Sequence, residues 1–278
     1  MTTRGQGPFS RGATLGPALY SYSASPDGDA KAVVGLVHGY GEYGGRYARV
    51  MDAWADRGIA SVAIDLRGHG RAEGRRGYCE RFDDFLDDVR ELERLTAEKR
   101  LPAFLFGHSL GGLVATTSVL ARPAPWRALV LSAPFMGLAM HVPRVKRIAT
   151  QIASRIWPMF SQPSGLRGAD VTHDMALART YDEDPLVFHI ATARFFTEAQ
   201  AAQARAFAEA ASLVMPMYVV MGTADPISRY ERARAFFDAA GAHDKTWDAR
   251  EGLFHEVLSE PEWHSVADKI ADWISSRL

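Results

Sequence analysis

A single cysteine, Cys79, stands among 278 residues. The chain can therefore form no intramolecular disulfide, and it holds too few thiolates for a cysteine-rich zinc site. It suits a reducing compartment. No uninterrupted apolar run reaches the roughly 18 residues a membrane-spanning helix needs. The first residues, Met1-Thr2-Thr3-Arg4-Gly5-Gln6-Gly7-Pro8, lead into no apolar stretch of the signal-peptide kind. A cytoplasmic protein is expected. Neither sign of charge dominates: 32 Lys and Arg stand against 33 Asp and Glu, a net charge of -1. That balance argues against a general nucleic-acid binder, which shows a basic excess. Repeats and long low-complexity tracts are also missing, which excludes solenoids and disordered chains.

What is present is ordinary globular material, 47% hydrophobic and 23% charged. At about 150 residues per domain the length suggests about two domains, or one α/β domain of about 200–250 residues carrying an insertion. Residues 1–12, rich in Gly, Ser and Arg, read as a loose terminus. Residues 18–24 alternate and suit an outer antiparallel strand. Then strands and helices interleave. Val33 to Val37 is a short apolar run closed by His38-Gly39-Tyr40-Gly41, and Tyr47, Val50, Met51, Trp54 and Ala55 recur at helical spacing. Ile59 to Asp65 is the next strand, followed by a glycine-rich loop from Arg67 to Gly77. Phe82, Phe85, Leu86, Val89, Leu92 and Leu95 mark an amphipathic helix.

Strand 103–107, helix 110–121 and strand 128–132 follow. Later come a strand from Leu213 to Met221, a helix near 229–240, strand 245–250 and a last helix near 262–277. This rhythm implies a mostly parallel, doubly wound sheet of eight strands covered on both faces. It breaks after Phe135 and resumes near Leu213. The expected organisation is a discontinuous catalytic domain, 13–134 with 212–278, and a helical cap inserted at 135–211.

The strongest motif is Gly107-His108-Ser109-Leu110-Gly111-Gly112, a G-x-S-x-G sequence with an apolar strand before it and a helix after it. That context puts the serine on a sharp strand-to-helix turn with its oxygen above the sheet. The flanking glycines leave room where a Cβ would collide with neighbouring backbone. The bland alternative is a glycine-softened turn. A serine hydroxyl needs a base, and the base needs an orienting acid. On such a scaffold they follow in the order Ser, Asp/Glu, His.

Asp225 and His255 each follow a strand and satisfy that order. Asp65 also ends a strand but precedes Ser109, and Asp225 alternatively reads as a turn aspartate before Pro226. Among rival histidines, His264 falls on the last helix and His243 between a helix and a strand. His38, His69 and His108 accompany glycine turns and are expected to hold loops. Two preorganised N–H donors, each worth about 10²–10³ in rate, must meet the oxyanion. The amides of Leu110 and Tyr40 are placed for this, although a plain glycine turn at 38–41 is the alternative.

These stretches resemble the monoacylglycerol lipase and lysophospholipase branch of the α/β-hydrolases. The matching runs are His38-Gly39-Tyr40-Gly41-Glu42-Tyr43-Gly44-Gly45-Arg46-Tyr47, Asp65 to Gly70, Gly107 to Gly112, Gly222 to Asp225 and Glu251 to Glu256. The resemblance implies a triad of Ser109, Asp225 and His255 and an oxyanion hole of Tyr40 and Leu110. The expected reaction is cleavage of a single-chain lipid ester, above all a monoacylglycerol, through an acyl-enzyme. Lysophospholipase, short-chain carboxylesterase and non-catalytic ligand binder are the alternatives. No cofactor and no metal are called for, and Ser109 argues against the aspartate-dependent dehalogenases and epoxide hydrolases. Glu42 and Arg46 match positions near the polar end of the pocket; they read either as substrate-binding residues or as a pair that orders the loop. A second histidine common in the family three residues beyond the catalytic one is Leu258 here.

Within the cap, residues 135–169 carry Arg144, Lys146, Arg147, Arg155 and Arg167 and no acidic residue. Val142, Val145, Ile148, Ile152 and Ile156 recur on the opposite side of this stretch, and Trp157-Pro158-Met159-Phe160 follow. Such a basic amphipathic helix either lies on an anionic lipid surface or buries its apolar face on the catalytic domain. Met136, Met140, Met159 and Met175 read as walls of an acyl tunnel or as core filler.

Overall fold

The computed structural model describes residues 9–10, 14–15, 19–123, 125–140 and 142–278. In chain order the strands are β1 (Phe9–Ser10), β2 (Thr14–Leu15), β3 (Leu19–Ala24), β4 (Ala32–Val37), β5 (Ile59–Asp65), β6 (Ala103–His108), β7 (Ala128–Ser132), β8 (Ser161–Pro163), β9 (Ile190–Thr192), β10 (Met217–Gly222) and β11 (Lys245–Arg250). The helices are α1 (Ala48–Asp56), α2 (Asp84–Ala97), α3 (Leu110–Ala121), α4 (Arg144–Ile156), α5 (Gly168–Val171), α6 (Met175–Glu183), α7 (Ala193–Ala208), α8 (Tyr230–Ala239) and α9 (Trp263–Ser275).

The main sheet runs β1-β3-β5-β4-β6-β7-β10-β11, with β2 also paired to β3. Strands β5, β4, β6, β7, β10 and β11 are mutually parallel, and β3 is antiparallel to β5. Among the described residues, seven strands of five to seven residues therefore carry the sheet where eight were expected; β1 and β2 are dipeptides on β3. Most of the loose terminus expected at 1–12 lies outside the described residues.

Parallel strands covered on both faces need apolar side chains on both, and β4 shows this. Val33 and Val37 join a core with α2 and α3, while Ala32, Val34 and Leu36 join another with α1 and α9. Gly35 has no room for a Cβ because the Trp126 ring sits 2.7 Å from where it would be. The strand expected to begin at Leu213 begins at Met217, just beyond Pro216, which has no N–H to give a ladder.

Between β7 and β10 the chain leaves the main sheet. Helices α4 to α7 and a separate antiparallel pair, β8 with β9, lie there. The pair is too short and polar to show an alternating pattern, and sequence reading missed it. Helix α4 turns its apolar stripe outward: Val145, Ile148, Ile152 and Ile156 are all exposed. The packing alternative therefore fails for these four residues, while Val142, just ahead of the helix, is half-buried. The helix docks on α7 through its other side, where buried Ser154 hydrogen-bonds Thr197 at 2.7 Å.

Candidate active site

Every chemically interesting loop lies at the C-terminal edge of the parallel strands, where open α/β sheets place their sites. Ser109 joins β6 to α3 with φ 50° and ψ −115°, a left-handed conformation strained for a serine. The turn is over-determined by its surroundings. The Ser109 amide donates to the Ser132 carbonyl at 2.9 Å, and its own carbonyl accepts from Gly112, Leu113 and Phe135. A Cβ on Gly111 would lie 2.2 Å from the Val37 carbonyl oxygen, and one on Gly107 would lie 2.4 Å from the Gly111 oxygen. These contacts explain the glycines of the motif.

Asp225 follows β10 and His255 follows β11. Their side chains meet, with Nδ1 of His255 2.8 Å from Oδ2 of Asp225. The other Asp225 oxygen accepts the amides of Ile227 and Ser228, which fixes the carboxylate plane. Burial pushes the imidazole pKa of His255 down. The charge and hydrogen bond of Asp225, reinforced by Glu256 and Glu42, outweigh that and leave it above 6.5.

Ser109 and His255 both line a cavity of about 200 Å³. Its walls are largely apolar, with Phe135, Leu138, Phe160, Phe195, Phe196 and Ile227 among them, while Lys146, Gln162, Ser164 and Tyr181 supply polar points. Of the four methionines singled out, Met140 lines it; Met136 is in the core, and Met159 and Met175 are exposed.

Leu110 is the first residue of α3, so its N–H has no acceptor within the helix. Tyr40 also lines the cavity, and its side chain is held at both ends. Its hydroxyl donates to the Ile190 carbonyl at 2.6 Å, and its ring stacks on Phe195 with 4.3 Å between centroids. His38, His69, His108 and Asp65 hold loops. His38 lies between the Gly39 carbonyl and the Leu66 amide, and burial keeps it well below its usual pKa. Burial takes His69 down to about 4 and His108, beside His255, to about 3. Asp65 accepts from the amides of Gly44 and Arg71 and from the Tyr22 hydroxyl.

Glu42 and Arg46 part company. Glu42 reaches the cavity wall, whereas Arg46 lies behind it. Arg46 gives one nitrogen to Glu42 at 2.5 Å and to Glu256 at 2.6 Å, and the other to Glu256 at 2.8 Å. Glu42 further accepts from the Gly39 amide at 2.6 Å and the Tyr47 hydroxyl at 2.8 Å. Burial raises the Glu42 carboxyl, partly offset by Arg46. Burial likewise pushes Glu256 up, but the bidentate Arg46 pair overrides this and holds it at about 2. Glu42, His108 and Glu256 are close enough to ligate a cation, yet the Arg46 guanidinium already bridges the two carboxylates. Leu258 lines a small void of about 10 Å³ beside this network, not the main cavity. Glu256 stood inside a motif but was given no role; only its contact with Arg46, 210 residues away, reveals one.

Comparison with known proteins places these features. Residues 28–262 match the family Hydrolase_4, described as serine aminopeptidase, S33. The monoacylglycerol lipase of Mycolicibacterium smegmatis is 31% identical over 257 residues, covering 91% of each chain. Phospholipase YtpA of Bacillus subtilis is 29% identical over 84% of this chain and 92% of its own. Among solved structures, the Paleococcus ferrophilus monoacylglycerol lipase superposes with a TM-score of 0.85 at 29% identity, over 94% of this chain and 99% of that one.

Proposed function

This chain belongs to the Hydrolase_4 family of α/β-hydrolases as a serine ester hydrolase acting on lipid esters, and on that premise we propose that it cleaves single-chain lipid esters, above all monoacylglycerols, to fatty acid and glycerol. In this reading Ser109 is the nucleophile, His255 the general base and Asp225 the group that orients the imidazole. With Nδ1 engaged by Asp225, Nε2 takes the Ser109 proton as the oxygen attacks the acyl carbonyl. The amides of Leu110 and Tyr40 receive the oxyanion. Collapse breaks the ester C–O bond, and His255 returns its proton to the departing alcohol. Water then attacks the acyl-enzyme by the same route and releases the fatty acid.

The observation that supports this most is the strained Ser109 turn and the His255–Asp225 pair opening on one apolar cavity. Each buried methylene contributes about 0.8 kcal/mol, so a long acyl chain needs few polar contacts to bind there. Glu42 and Arg46 serve this reading as the clamp that holds the oxyanion loop, since Gly39 bonds to Glu42 and Arg46 is spent on two carboxylates. Residues 135–211 act as the cap of a catalytic domain made of 13–134 and 212–278.

The cap also gives the enzyme a lipid-facing surface. Helix α4 shows Val145, Ile148, Ile152 and Ile156 to solvent, flanked by exposed Arg144, Arg147 and Arg155, while its Lys146 and Thr150 line the cavity. Peripheral docking through α4 would set the cavity next to the membrane from which substrate comes. Among the described residues no helix is long and apolar enough to cross a membrane. A lysophospholipid substrate is the second reading, favoured by the phospholipase relative and by a basic residue, Lys146, among those lining the cavity.

A panel of mono-, di- and triacylglycerols, lysophospholipids and p-nitrophenyl esters tests the proposal, with Ser109→Ala as control. Monoacylglycerol should be turned over fastest and the Ser109→Ala protein should be inactive. Preference for a lysophospholipid would move the assignment to the second reading, and an active Ser109→Ala protein would end both.

A further inference from the structure

Glu260 is fully buried, five residues beyond His255, and the proposed chemistry does not use it. Its carboxylate nevertheless collects donors from two separate parts of the chain. Oε1 accepts the Phe254 amide at 2.7 Å, and Oε2 accepts the His173 amide at 3.0 Å. Nδ1 of His173 lies 3.0 Å and 3.1 Å from the two oxygens, and the Thr172 hydroxyl lies 3.4 Å from Oε2. His173 stacks on the Phe254 ring with centroids 3.7 Å apart.

The stitching extends to both sides of His255. The Glu256 amide donates to the Val171 carbonyl at 2.8 Å, and the Thr172 hydroxyl donates to the Ser259 carbonyl at 2.8 Å. The two amides flanking His255 are thus held by Glu260 and by cap residue Val171. Glu260 is itself rooted in the rigid part of the fold, because its carbonyl accepts the Trp263 amide at the start of α9. A buried carboxylate is tolerated only when its lone pairs are satisfied, so removing it orphans several N–H groups at once.

We propose that Glu260 is a positioning residue for the reaction. By binding Phe254 and His173 together, it fixes the loop carrying His255 against cap segment 171–173 and so sets the imidazole within reach of Ser109. The alignment of His255 then depends on the cap as well as on Asp225. This inference rests on the triad reading above.

Steady-state kinetics on Glu260→Gln, Glu260→Ala and His173→Ala, with a soluble p-nitrophenyl ester, test it. Glutamine keeps the size and one acceptor but turns an N–H toward the His173 donors. A misplacement of about 1 Å in such a site costs about 10²-fold. The expected result for Glu260→Ala is kcat down about a hundredfold with KM within threefold, and fluorophosphonate labelling of Ser109 slowed in parallel. Glu260→Gln should fall between it and the wild type, and His173→Ala should lose about tenfold in kcat. Should Glu260→Ala fail to fold, the glutamine and His173 variants carry the same test. Wild-type kcat in all folded variants, or a change confined to KM or Tm, would overturn the positioning role. Ser109→Ala run alongside separates the two failures. If it is inactive while the Glu260 variants are normal, only this inference falls; if it is active, the triad reading falls first.

Discussion

The outward apolar stripe of α4 makes a quantitative demand. Val145 is 78% exposed and Ile156 80% exposed, so nearly all of each side chain is available for transfer into lipid. Fully burying such a side chain is worth about 1.5–3 kcal/mol, so the two together should contribute roughly 3 kcal/mol to docking. That corresponds to about 10²-fold in partitioning. The double variant Val145→Ser, Ile156→Ser should therefore bind phosphatidylglycerol vesicles about a hundredfold more weakly by sedimentation. Each basic residue near an anionic surface adds about 1 kcal/mol, screened by salt, so wild-type binding should weaken as ionic strength rises. Hydrolysis of a soluble p-nitrophenyl ester should stay unchanged, because exposed positions remote from special features shift stability within about 0.5 kcal/mol. Vesicle binding within threefold of wild type, or equal loss on the soluble ester, would refute the argument.

Asp225→Asn should lower turnover by roughly 10⁴-fold, the general cost of losing an orienting acid. As the proposed general base His255 must be neutral to act, and Asp225 raises its pKa above the ordinary 6.5, so activity should fall as pH drops through that raised value. In Asp225→Asn the raising charge is gone while burial remains, so that limb should move to lower pH; an unmoved pH profile would place the acid elsewhere. Gly111→Ala would set a Cβ 2.2 Å from the Val37 oxygen and 2.4 Å from that of His38. A clash with backbone cannot be relieved by a rotamer change, so denaturant titration should show a loss of about 1–3 kcal/mol; full stability would mean the turn is looser than described.

Much of the site was legible because local sterics write it into sequence. Gly107 and Gly111 have no alternative at their positions, and apolar runs before Ser109 and Asp225 announce buried strands that end where the chemistry sits, whereas the strand before His255, Lys245–Arg250, is polar and only partly buried. Periodicity also revealed α4, but an amphipathic pattern says that two faces differ, not which one meets protein. Sequence left both burial and a lipid surface open for the apolar side, and Ser154 on Thr197 shows the helix docking through its opposite face. Arg46 had an ambiguous motif position until Glu256 appeared from 210 residues away. Glu260 and His173 were invisible for the same reason, separated by 87 residues with no shared motif. Contacts of that range leave no local pattern to read.

The central claim is that Ser109 is a nucleophile activated by His255 and Asp225. Incubation with a fluorophosphonate, followed by intact mass and peptide mapping, tests it most directly. The account predicts one covalent adduct on Ser109, absent in Ser109→Ala and formed orders of magnitude more slowly in Asp225→Asn. An adduct on another residue, or continued ester hydrolysis with Ser109 unlabelled, would contradict it.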